Sequence, residues 1–98
     1  MPRRTLERIR SKISDGSYDM TIHALEEMTE DDLDIFDVEH AIFNGRLVRT
    51  RWDGRGRVCY TVHGIEADEM SAVGIVGRFT ESGRFLIITV YKMEEPKS

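Results

Sequence analysis

Apolar residues recur along this chain with two periods, and the change from one to the other falls at Gly45. Leu6, Ile9 and Ile13 stand three and four residues apart, which predicts an amphipathic helix over residues 4–14 with its basic positions outward. Asp15-Gly16-Ser17 stops it. Thr21 is placed to cap a second helix whose apolar stripe is Ile22, Leu25 and Met28. Asp34 caps a third, with Asp37 three residues on in a capping-box-like arrangement. Its inward positions are Ile35, Val38, Ala41 and Ile42, and Asn44-Gly45 supplies a left-handed stop.

Beyond Gly45 the period is two. Val48, Thr50 and Trp52 alternate with Leu47, Arg49 and Arg51, and Asp53-Gly54-Arg55-Gly56 reads as a hairpin turn. In the next strand Val58, Tyr60 and Val62 alternate with Cys59, Thr61 and His63. Residues 72–80 and 84–92 are apolar on both faces, as central strands are, and Glu81-Ser82-Gly83 joins them. The expectation is an α+β fold with N-terminal helices packed on one face of an antiparallel four-stranded sheet.

Composition narrows the class. Ninety-eight residues support one domain with one core, and 40% hydrophobic with 33% charged residues is ordinary for a globular protein. The apolar stretches are strand length, so no membrane span is expected, and the basic start Met-Pro-Arg-Arg-Thr-Leu-Glu-Arg lacks the apolar run of a signal peptide. Cys59 is alone, which rules out an internal disulfide and argues against a cysteine metal site. A cytoplasmic bacterial-type protein is the natural expectation.

The net charge of −4 hides an alternation of blocks. Residues 3–12 hold five basic side chains (Arg3, Arg4, Arg8, Arg10, Lys12) against Glu7, and residues 26–39 hold eight acids and no Lys or Arg. Residues 46–57 hold five arginines against Asp53. Solvated faces give such blocks, and so does a basic groove bounded by an acidic helix that meets nucleic acid or an acidic protein. No glycine-rich phosphate loop, nucleophile elbow or paired-histidine zinc motif is present. Asp32-Leu-Asp34-Ile-Phe-Asp37 lacks the glycine and final glutamate of a calcium loop, and His23-x-x-x-Glu27 offers two ligands where a metal site needs more. No metal or cofactor is expected.

Taken in order, His23-Ala24 with Met28, then Leu33-Asp34 with Asp37-Val38, then Asn44-Gly45, Tyr60, Gly64 and Thr89-Val90-Tyr91 resemble the bacterial domain-of-unknown-function family 4258 over roughly residues 17–93. That family looks like a distant relative of the RelE-type and BrnT-type toxins, small ribonucleases of toxin–antitoxin modules. The resemblance implies a RelE/BrnT-like fold with RNA on the sheet face opposite the helices. It also implies a toxin-like, metal-independent endoribonuclease, encoded beside an antitoxin-like partner. In one respect the chain departs from the family pattern, which places arginines four and eight residues after the histidine. Glu27 and Asp31 stand there instead, repelling phosphate where arginine would attract it.

RNA cleavage without a metal needs a base for the 2′-hydroxyl, a cation for the charged phosphorane and an acid for the leaving oxygen. Histidine suits either proton role and arginine's planar fork suits the phosphate. The candidate catalytic residues are His23, Arg57, Tyr60 and Tyr91; Arg46, Arg49, Arg51, Arg55 and Arg78 are candidates for holding RNA or a partner. His63 lies on a neighbouring strand, and Arg84 is able to approach the cluster across the sheet. Each has a plainer alternative. A histidine placed like His23 most often hydrogen-bonds a backbone group or carboxylate and orders the fold, and Tyr91 most simply packs its ring. Edge arginines discourage aggregation, and Trp52 suits the core as well as a base. A non-catalytic interaction module that binds an antitoxin-like protein is the second reading, and an exposed edge strand leaves room for a homodimer.

Overall fold

Thr21 fixes the start of the second helix in two ways at once. Its Oγ1 accepts the Ala24 N–H (3.0 Å) and donates to the Ile88 carbonyl (2.9 Å), while its own N–H reaches the Ile87 carbonyl (3.0 Å). Around that stitch, a computed structural model describing residues 2–67 and 71–93, with side chains from Arg4 onward, gives the order of elements. Helix α1 spans Pro2–Ser14, strand β1 Tyr18–Met20, helix α2 Ile22–Glu30 and helix α3 Ile35–Asn44. Strands β2 Arg46–Trp52, β3 Val58–Ile65, β4 Ala72–Phe79 and β5 Phe85–Met93 follow. Arg3 of the basic block falls outside the described side chains.

The protein is α+β, with a five-stranded mixed sheet in the order β1-β5-β4-β3-β2. The sheet is thus not the four-stranded antiparallel one expected: β2 to β5 pair antiparallel, and a fifth strand, β1, adds in parallel to the outer edge of β5, Tyr18 opposite Phe85 and Met20 opposite Ile87. The sequence gives no signal for a strand of three residues, because period two cannot be read over so short a span. Side-chain bonds hold β1 there. Arg84 Nε lies 2.7 Å from Asp19 Oδ2, and Arg84 Nη2 donates to the Tyr18 carbonyl (3.1 Å). Arg84 is therefore a clamp on β1 and not part of the arginine cluster, and its hydrogen bond holds the Asp19 carboxyl below the usual carboxylate range.

Leu6, Ile9 and Ile13 of α1 are buried as their spacing predicts, against Val38, Ala41 and Ile42 of α3 and the strand residues Val62, Val73, Ile75, Phe85, Ile87 and Val90. Helix α2 is rotated from its expected setting. Ala24 and Met28 are buried, whereas Ile22 is 75% exposed and Leu25 49%. The rotation turns Glu27 and Asp31 toward β5 beyond the end of β1. There Glu27 Oε1 accepts the Val90 N–H and Asp31 Oδ2 the Lys92 N–H, each at 3.0 Å. Edge N–H groups need acceptors, and these bonds prevail over the more apolar stripe.

Helix α3 carries a complete capping box, Asp34 Oδ1 accepting from Asp37 N and Asp37 Oδ2 from Asp34 N (both 3.0 Å). It ends differently from the expectation: Gly45 is extended (φ −90°, ψ −170°), not left-handed. Glycine is required by space, since a Cβ on Gly45 or Gly64 would collide with the Ala41 carbonyl, where α3 presses on β3. Arg10 serves the same helix end, donating from Nε to the Ile42 carbonyl (3.0 Å) and from Nη2 to that of Gly45 (2.9 Å).

Two measurements check this account. Gly64→Ala should cost about 3 kcal/mol or more in denaturant unfolding, since backbone has to move. Gly54→Ala, left-handed at φ 85° but in open space, should cost only about 1–2 kcal/mol. Burial, then a hydrogen bond to the Glu39 carboxylate (3.0 Å), pushes the Tyr18 phenol up from 10.0 to about 12. A group raised on folding stabilises fully below its unfolded value and loses that contribution through its folded one. Stability should therefore decline between pH 10 and about 12, and Tyr18→Phe should remove that part of the decline.

Candidate functional site

Residues directly opposite on paired strands share a face, so the register sorts the candidates. On the helix side lie Tyr60, Val62, Ile75, Phe79 and Phe85 with Leu47, Thr50 and Trp52. A β-bulge between Leu47 and Arg49 adds one residue to β2, so Leu47 shares a face with Thr50 and Trp52 and not, as simple alternation predicts, with the arginines. On the other side, which no helix among the described residues covers, lie Arg49 and Arg51, opposite Thr61 and Cys59 respectively. His63, Gly74 and Tyr91 form one row across β3, β4 and β5 on that same side.

The row is tied together. His63 Nε2 is 2.9 Å from the Tyr91 hydroxyl, with the two rings edge to face. Tyr91 reaches that far because Gly74 between them has no side chain: a Cβ there would enter the tyrosine ring. Val48, Arg49, Arg51, Cys59, Thr61 and Val76 complete the walls of a cleft of about 420 Å³ around the pair. Among the described residues no carboxylate lies within ion-pair distance of Arg46, Arg49, Arg51, Arg55 or Arg78. The cleft therefore offers two unneutralised guanidinium groups beside an imidazole and a phenol.

The expected constellation divides. Tyr91 lies in the open-face cleft. Tyr60 lies on the opposite face, packed edge to face on Phe79 with ring centroids 5.9 Å apart. Arg55, Arg57 and Arg78 line a separate groove at the end of the sheet with Tyr60. Arg57 also pairs with Asp53 (3.4 Å), whose carboxyl is lowered by the Arg55 N–H that bonds it, and then, against a small cost of burial, by Arg57. Arg46 sits opposite His63 on the outer edge.

His23 joins neither cluster. It lies at the first turn of α2, 64% exposed at its side chain, with Nε2 3.3 Å from Glu27 Oε1. The histidine beside Tyr91 is His63, which alternation alone cannot bring to Tyr91 because the pairing of β3 with β5 runs through β4. Trp52 is 69% exposed and is not a core residue. Cys59 is a free thiol on the open face, and among the described residues no group of three His, Cys, Asp or Glu side chains is placed to hold a metal ion.

Fold and cleft together define a small α+β protein with helices on one sheet face and a basic cleft on the other. The family model described as Domain of unknown function (DUF4258) matches residues 20–92, and the chain belongs to that family. No curated protein and no solved structure matches the chain. The match runs from the end of β1 to β5 and contains the whole open-face cleft; α1 lies outside it.

Most of the residues that carry the family likeness build the fold. Asp37 Oδ1 accepts the Ala67 N–H (3.0 Å), and the Asn44 side-chain amide bonds both the N–H (2.9 Å) and the carbonyl (3.1 Å) of Ile65. Glu27 and Asp31 serve as acceptors for the β5 edge, which arginines cannot do. Glu27→Ala should cost about 1.5–3 kcal/mol, typical of a hydrogen bond to a charged group, and should raise hydrogen exchange at the Val90 amide. An unchanged Val90 exchange rate would show that this bond does not protect the edge.

Proposed function

We propose that this protein is a toxin-type endoribonuclease of the RelE/BrnT kind, acting in the cytoplasm on single-stranded RNA without a metal. The observation that carries the reading is the His63–Tyr91 pair, 2.9 Å apart, in one cleft with Arg49 and Arg51. Arg49 and Arg51 hold the scissile phosphate and stabilise the charge that builds on it. His63, oriented by Tyr91, takes the proton from the 2′-hydroxyl. The 2′-oxygen bonds to phosphorus, the bond to the 5′-oxygen breaks, and the leaving oxygen takes a proton from solvent. The product ends are a 2′,3′-cyclic phosphate and a 5′-hydroxyl. His63 replaces His23 as the proton carrier in this scheme, and Tyr91 is a positioning residue.

A specific observation favours a second reading, a non-catalytic module for an antitoxin-like protein. Strand β2 is a sheet edge on which Val48 (45%) and Trp52 (69%) stand exposed among arginines. An extended acidic segment with alternating apolar residues would pair with such an edge.

End-labelled RNA incubated with the purified chain in the presence of a chelator separates the two. Under the ribonuclease reading the parent cuts, His63→Ala lowers kcat about 10²–10⁴-fold, and Arg49→Ala with Arg51→Ala lowers it at least about 10²-fold. Intact RNA with folded protein would reject catalysis and leave the binding module.

A further inference from the structure

The groove at the end of the sheet is separate from the open-face cleft and larger, about 910 Å³. Four guanidinium groups line it, those of Arg8, Arg55, Arg57 and Arg78, and Glu81 is the single carboxylate among the described residues of its wall. Asp53 offsets part of the Arg57 charge (3.4 Å). The excess of positive charge is thus concentrated where the hairpin tip meets α1.

One of the four is held rigidly. The Arg8 guanidinium lies over the Phe79 ring, 4.1 Å from its centroid. Phe79 packs edge to face on Phe85 (5.2 Å), which is 1% exposed, so the stack is rooted in the core. Tyr60 packs on the other side of Phe79 (5.9 Å). An arginine spread on an aromatic face keeps its donors for a ligand at little further cost in entropy. The hairpin carries the arginine track from Arg49 and Arg51 on the open face, round the tip, to Arg55 and Arg57 in the groove.

We infer that this groove is a second phosphate subsite, holding the stretch of the same RNA strand next to the phosphate on the open face. The inference rests on the ribonuclease reading for the identity of the strand. A guanidinium fixed on an aromatic face, with three further arginines around it, suits a single strand, whose phosphates take the charges and whose bases stack without regard to sequence. Because Arg8 comes from α1, the subsite uses a helix outside the family match.

The test is amide chemical-shift mapping of the full chain with a 5′-phosphorylated 2′-O-methyl decanucleotide, which cannot be cleaved, and with the corresponding trinucleotide. His63 and Tyr91 report the open face; Phe79 and Ser82 report the groove. The decanucleotide should shift both sets. In Arg8→Gln with Arg55→Gln, its affinity should fall and the slope of log K against log salt should shrink by about 0.7 per lost phosphate contact. Trinucleotide binding should stay unchanged. Shifts confined to His63 and Tyr91, or an unaltered salt slope, would overturn the subsite and leave the ribonuclease reading standing. Shifts confined to the groove would overturn the open-face reading and, with it, a strand shared between the two sites. No shift in either set would overturn both.

Discussion

Helix α3 meets β3 with nothing between their backbones. The Ala41 carbonyl occupies the space that side chains on Gly45 and Gly64 would need, so the helix lies flat on the strand. From that contact a line of polar bonds runs along the junction. Asn44 completes the hydrogen bonding of Ile65, and Asp37 receives the Ala67 N–H at the far end. Helix α2 is fixed to β5 in the same manner by Thr21, Glu27 and Asp31. Both helices are therefore bonded into the sheet and cannot slide over it. Their grip on one side is also what leaves the other side, with Cys59, Thr61, His63 and Tyr91, uncovered.

The division of labour between motif and site follows. Asp34, Asp37, Asn44, Gly45 and Gly64 carry the family likeness and act in capping, close approach or hydrogen bonding of strand and loop backbone. Of the motif residues, Tyr91 is the one whose side chain lines the open-face cleft, and its partners there, His63, Arg49 and Arg51, lie outside the motifs. Membership in the family thus speaks for the architecture, and the chemistry has to be argued from the cleft.

What sequence made legible was whatever rests on neighbours in the chain. The capping box of α3, the turn at Asp53-Gly54-Arg55-Gly56, whose Asp53 Oδ1 accepts two backbone N–H bonds, and the alternation of β3 are local and were readable. The misses all depend on distant partners. Strand β1 exists because β5 and Arg84 receive it. The setting of α2 is decided by edge amides of β5 some sixty residues away. The bulge at Val48 shifts the face of Leu47 without altering any local pattern. The histidine of the cleft depends on the same point, since only the register across β4 brings His63 to Tyr91.

The net charge of −4, taken as an average, opposes a phosphate ligand. The structure separates the signs. Asp19, Glu27, Asp31, Asp34, Asp37 and Asp53 each bond a backbone N–H or an arginine, so their charge is committed within the fold. Burial works against ionisation of Asp37, but N–H bonds from Asp34 and Ala67 prevail and keep its carboxyl below the usual range. The arginines of β2 and the hairpin are committed differently: Arg57 alone among them has a carboxylate partner among the described residues. A helix is about 10 Å across, more than the roughly 8 Å screening length at physiological salt. Acids on the outer surface of the helix layer thus act on the open face more weakly than the arginines beside it. A ligand approaching that face meets the local arginines and not the average charge of the chain.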